Sequence, residues 1–239
     1  LRGLAVTTAI AMALASTAIG LRWNSWLVLG LIQLHALCSS STWSLSNTIV
    51  LSRLHDSKRQ FGPIRAMATL GWMSGCWIVS VLNADASTLS GYSGAIAWLM
   101  LAAFTWLLPD VEPPKAEGRA TLRQRLGLDA LSLLKNHDHR VVFMTVALMA
   151  IPIAAFYPYT PTQLRELGLQ RTTAWMSLGQ ITEIVAMFGL SALLQRWRLK
   201  WILTCGISFG VLRYALCALD GKAWLLTGVT LHGFSFTLV

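Results

Sequence analysis

Charge is scarce in this sequence, and acid is scarcest. Its 239 residues include ten Asp and Glu against nineteen Lys and Arg, so 12% are charged, where soluble domains average about 25%. That is too little polar surface to cover a soluble domain of this size, which excludes one. Cysteine is also sparse. Cys38, Cys76, Cys205 and Cys217 fall within apolar runs without metal-ligand spacing, which argues against a disulfide framework and leaves them as small apolar filler. His35, in "LHALCSSSTWSLSN", has no acid nearby to orient it, and serines within helices bond to the preceding turn, so no catalytic residue and no enzyme are expected. His137 and His139 in "NHDHR" lack further ligands, so neither a metal site nor a cofactor is expected. The first apolar run shows no small-residue cleavage site of a secretory signal and is expected to be a retained span. The chain opens with Leu rather than Met and stops in "LHGFSFTLV", and is expected to be a fragment.

What is present is apolar. Hydrophobic residues make up 55% of the chain and the mean hydropathy is +0.57. Eight runs approach the ~20 residues that cross a bilayer as a helix: about 4–19, 25–51, 64–82, 92–108, 141–159, 173–194, 201–219 and 223–239. They are too long and continuous for barrel strands, and lipid leaves open backbone groups unsatisfied. The expected fold is therefore all-α, a polytopic transmembrane helix bundle.

The basic residues orient it. With the N-terminus inside, fourteen of the nineteen Lys and Arg fall in inside segments. Four (Arg22, Arg165, Arg171 and Lys222) fall outside, and Arg213 lies within the seventh run. That asymmetry is the positive-inside pattern of an eight-span count. Topology thus accounts for the net charge of +9; an anionic-lipid contact is a lesser addition, and no nucleic-acid partner is expected. The polar stretch 109–140 divides the chain into four spans in 1–108 and four in 141–239. It reads as a cytoplasmic central linker with a Pro-rich start, and the helical spacing of Leu122, Leu126, Leu133 and Leu134 suits a membrane-surface segment.

Two polar faces interrupt the apolar runs. In "WMSLGQITEIVAM", Gln180 and Glu183 stand three residues apart on one helical face, and the small Ser177 and Gly179 are expected to leave room beside them. A carboxylate there is costly unless it faces a partner or a cavity, so two readings are open: a helix-packing acid, or a site that binds a polar solute or carries a proton. In "LSRLHDSKRQFGPIRAMATLGWMSG", Arg65, Thr69 and Trp72 also share a face. They offer a cation, a hydroxyl and an aromatic plate suited to a sugar or base, though a membrane anchor and lipid packing are the alternative uses of Arg65 and Trp72. Gly71 with Gly75 and Gly206 with Gly210 have the spacing of close helix contacts. Arg213 could pair with Glu183 or snorkel outward. Pro152, Pro158 and Pro161 would distort the fifth span into a gating element.

The segments "NTIVLSRL", "FGPIRAMATLGW", "LGLDALSLLKN", "WMSLGQITEI", "VLRYAL" and "LHGFSF" resemble, in the same order, the nucleoside:proton symporter family of the major facilitator superfamily. The resemblance implies that the eight spans are the third to tenth of twelve. It implies a monomeric carrier in the cell inner membrane that moves nucleosides with protons by alternating access. By the same resemblance Arg65, Thr69, Trp72, Gln180, Glu183 and Phe236 line the nucleoside pocket, with Glu183 the proton-coupling candidate. Four positions depart from the family pattern. Thr237 stands where the family has an acid, His232 where it has an aromatic ring, and Ala154 and Tyr157 where it has amides. These departures keep two other readings open: a carrier of another polar solute, or a non-transporting membrane sensor homologue.

Overall fold

The structure, a computed structural model, describes residues 1–107, 121 and 127–239. Nine α-helices appear among them: α1 (Arg2–Gly20), α2 (Ser25–Ser52), α3 (Ser57–Val81), α4 (Leu89–Phe104), α5 (His137–Glu166), α6 (Thr172–Arg196), α7 (Leu199–Cys217), α8 (Lys222–Thr230) and α9 (His232–Thr237). No strand occurs among the described residues. Each of the eight apolar runs is helical, and six of the helices are long and apolar enough to cross a membrane.

The other two runs differ for local reasons. The serines and threonines of "CSSSTWSLSN" dilute α2; Ser39, Ser40, Ser41 and Thr42 each donate to a carbonyl three or four residues back. The last run is split at Leu231 into α8 and α9. Both pieces pack on α6 and α7, and each brings a glycine close to the backbone of one of them. A Cβ on Gly228 would lie 2.9 Å from Arg213 O of α7, and one on Gly233 would overlap Glu183 N of α6.

Helix starts follow their caps. Asn24 accepts from Trp26 N at 2.8 Å, Asp56 from Arg59 N at 3.2 Å, and Asn136 from Asp138 N at 2.8 Å. Proline does not break α5, which runs through Pro152, Pro158 and Pro161 as one 30-residue helix. The Leu122 and Leu126 part of the expected surface helix, with most of the central linker, lies outside the described residues. The remainder, Leu128–Lys135, is a 3-10 segment.

α1 sits between α2 and α4, α7 packs on α8 and α9, and α3 against α6 is the most extensive contact between the first four helices and the later ones. A small apolar core of Phe156, Leu164, Met176, Leu225 and Val229 joins α5, α6 and α8. Large apolar side chains such as Leu37, Met100, Ile151, Phe188 and Val211 stay exposed. In water that would be a liability, whereas against lipid tails it costs nothing.

Candidate functional site

α3 and α6 run antiparallel, and side chains join them at intervals of one to two turns. At the start of α6, Arg171 takes a left-handed φ of 55° and provides no cap. The missing cap comes from the other side of the contact. Asp85 Oδ1, in the turn after α3, accepts from Thr173 N and from Thr173 Oγ1, both at 2.7 Å. Ser80 Oγ accepts from Ala174 N at 3.0 Å and donates to Asp85 Oδ1 at 3.1 Å. Burial pushes the Asp85 carboxyl up, but the hydrogen bonds from Thr173 and Ser80 outweigh it and hold the group below the usual carboxylate range. One turn deeper, Trp77 Nε1 donates to Ser177 Oγ at 3.0 Å. Deeper again, Thr69 Oγ1 donates to Glu183 Oε1 at 2.8 Å. At the far end the backbones close up: a Cβ on Gly62 would stand 2.6 Å from Met187 O.

The middle of this contact holds a cavity of about 80 Å³ lined by Trp43, Arg65, Ala68, Thr69, Trp72, Tyr157, Gln180, Glu183 and Phe236. All six residues expected to face solute are therefore on one wall or another of it: three from α3, two from α6 and Phe236 from α9. Arg65 lies 4.0 Å from Glu183 Oε1 and lays its guanidinium 4.3 Å over the ring of Trp43. Gln180 is 3% exposed, and its Oε1 has no hydrogen-bond partner among the described residues. Thr237 brings its hydroxyl to 3.5 Å from the Glu183 backbone oxygen. Trp43 and Trp72 also line a second, larger and mostly apolar cavity of about 550 Å³ between α1, α2 and α4.

Three expectations need correcting. Arg213 neither pairs with Glu183 nor snorkels; it is fully buried, hydrogen-bonded to His232, Ser235 and Tyr214. Gly71 and Gly75 meet nothing, since a Cβ on either has open space around it, whereas Gly206 would press on Leu238 and Val239. The room expected beside Gly179 is taken by His232, whose Cβ would lie 3.1 Å from an added methyl. Trp43 and Asp85 escaped the sequence reading. The absence of any cap residue before α6, with a lone acid in the short "NADAST" turn, was the signal available for Asp85.

A bundle of long apolar helices enclosing a small polar cavity, with a carboxylate, a guanidinium and a free amide, defines a polytopic membrane protein with an intramembrane polar site. The chain belongs to the nucleoside H+ symporter family, whose family model, described as "Nucleoside H+ symporter", matches residues 2–239. It is 31% identical over 224 residues to the putative nucleoside transporter YegT of Escherichia coli (strain K12), covering 86% of this chain and 51% of that one. Its identity to nucleoside permease NupG of the same organism is 27% over 214 residues, covering 82% and 51%. A crystal structure of a mutant of the nucleoside transporter NupG superposes with a TM-score of 0.79 at 23% identity, covering 99% of this chain and 64% of that one. The likeness establishes a major-facilitator-like fold. The chain spans about half the length of the curated relatives it matches.

Proposed function

We propose that the protein carries nucleosides across the cell inner membrane together with protons, by alternating access. In this reading it is a monomer whose residues 1–108 and 141–239 belong to two half-bundles, joined by a cytoplasmic linker at 109–140. Arg65 and Thr69 contact the solute, Trp72 and Phe236 stack on it, and Gln180 with Glu183 binds its sugar or base. Glu183 is the proton carrier. Family membership supports the solute class, and one observation carries the site: the Gln180 amide is buried beside Glu183 with its oxygen unpartnered. A buried amide left without a partner costs free energy that a bound polar solute would recover.

At about 80 Å³ the cavity is well below the roughly 300 Å³ at which small-molecule sites begin. Binding therefore requires the walls to part. Trp43 and Trp72 separate this cavity from the larger one, so their side chains are the movable partition.

The test is uptake of labelled uridine and adenosine by cells expressing the complete protein, with and without a protonophore, beside Glu183→Gln. Uptake that needs the proton gradient and falls to background in the variant is the expected outcome. Absence of uptake for both nucleosides would defeat the nucleoside reading. Uptake untouched by Glu183→Gln would leave Glu183 a packing acid.

A further inference from the structure

Behind the cavity stands a cluster centred on Arg213 and His232, neither of which the proposed binding of solute uses. Arg213 of α7 is fully buried, yet no carboxylate lies within ion-pair distance of it among the described residues. Its charge is met by neutral groups. The guanidinium carbon sits 4.4 Å from the Phe156 ring centre and 4.3 Å from that of Tyr214. Its Nη1 donates to Ser235 Oγ at 3.1 Å and to His232 Nδ1, and its Nη2 donates to Tyr214 OH. His232 is itself fully buried and clamped between two rings, with Phe156 stacked at 4.8 Å and Phe236 at 5.5 Å between ring centres. Its other nitrogen, Nε2, lies 3.3 Å from the hydroxyl of Tyr157, which lines the cavity.

The donor and acceptor inventory fixes every proton along this row. A guanidinium has only donors, so His232 Nδ1 must accept from Arg213 and cannot carry hydrogen. The ring is then neutral with its proton on Nε2, because a neutral imidazole has one N–H and one bare nitrogen. Nε2–H in turn donates to the Tyr157 oxygen. The phenolic hydrogen is left without a partner among the described residues and is free to turn into the cavity.

We infer that Arg213 and His232 together make Tyr157 a dedicated hydrogen-bond donor to the solute, so that the cavity selects molecules presenting an acceptor there. Tyr157 is thus a specificity-determining residue, and Arg213 and His232 are positioning residues that never touch the solute. Gln180 offers its bare oxygen from α6 and Tyr157 its hydrogen from α5, so a solute must bring a donor and an acceptor to two walls of the same cavity. The choice of nucleoside as that solute rests on the reading above; the proton arrangement does not.

Two measurements on the complete protein separate these. Nitrogen-15 NMR of histidine-labelled protein, with His232→Gln to assign the signal, should show His232 neutral, protonated on Nε2 and bare on Nδ1. A ring protonated on Nδ1, or on both nitrogens, overturns the inference whatever the solute. Equilibrium binding of uridine should weaken about tenfold in Tyr157→Phe, the effect of one lost hydrogen bond to the solute. Of four uridine analogues, each lacking the 2-carbonyl, the 4-carbonyl, the 2′-hydroxyl or the 3′-hydroxyl, one should bind wild type about as weakly as uridine binds Tyr157→Phe, and bind that variant no worse than uridine does. Unchanged uridine affinity in Tyr157→Phe overturns the donor role. The expected tautomer with no nucleoside bound by wild type defeats the nucleoside reading and upholds the proton arrangement.

Discussion

In α1, buried Thr8 and Ser16 donate to Leu4 O at 2.7 Å and Met12 O at 2.9 Å, within their own helix. Buried polar groups of α6 also reach elsewhere: Ser177 donates to Ala174 O of its own helix but accepts from Trp77 of α3, Glu183 accepts from Thr69, and Gln180 Oε1 accepts from nothing among the described residues. Both helices are apolar enough to span a membrane, and both pack through small residues, Ala5, Ala9, Ala15 and Ala18 in one and Ser177, Gly179 and Ala186 in the other. The lesson lies in where the hydrogen bonds go. A hydroxyl that returns to its own helix is a compact filler, whereas a polar group that depends on another helix ties its free energy to how the two sit.

The contrast can be broken most severely at Gly233. An added methyl would overlap Glu183 N and Gly179 O, in the turn that carries Gln180 and Glu183. Gly233→Ala should cost about 3 kcal/mol of stability through overpacking, read as a lower thermal midpoint of the detergent-solubilised protein. An unchanged midpoint would mean that α9 does not depend on this approach.

Asp85→Asn should have a smaller effect, about 1 kcal/mol, in keeping with the loss of a charged cap on a partly exposed turn. Its pH dependence follows from the sign of the shift. The folded carboxyl is held below its ordinary value, so its contribution is complete above the unfolded value of about 3.9 and is lost as pH falls through the folded value. Wild type and variant should therefore differ by a constant amount from pH 5 to 8 and converge only in stronger acid. A gap that narrows near pH 6 would contradict the assignment.

Thr8→Val is the control from the other region. The hydroxyl it removes serves only Leu4 O, which stays in a helix, so the midpoint should move by less than about 0.5 kcal/mol equivalent. A loss as large as that of Asp85→Asn would erase the distinction between the two helices.

Much of the architecture was legible because lipid demands long apolar helices, and the two polar faces stood out since Gln180, Glu183, Arg65 and Thr69 recur at helical spacing against an apolar ground. That the faces would share a cavity followed from the family resemblance, with no spacing to enforce it. Interactions between distant segments were harder. Arg213 looked like a partner for Glu183 because nothing in "VLRYAL" tells that Phe156, Tyr214 and His232 will surround it. Gly71 and Gly75 carried the spacing of a tight contact, but that spacing says nothing about which face a neighbouring helix will occupy. Asp85 resembled any solvated loop acid until the uncapped start of α6 was found beside it.

The row of contacts from Asp85 to Gly62 is graded along its length. Its outer end is held by hydrogen bonds, each about 1 kcal/mol net, and its inner end by a backbone approach with no side chain to shear. The hydrogen bonds at the Asp85 end thus contribute only a few kcal/mol to holding α3 on α6, while the backbone approach at the Gly62 end sets how close the two helices come. An energy gap of that size is one that the differential affinity of a small ligand can overturn.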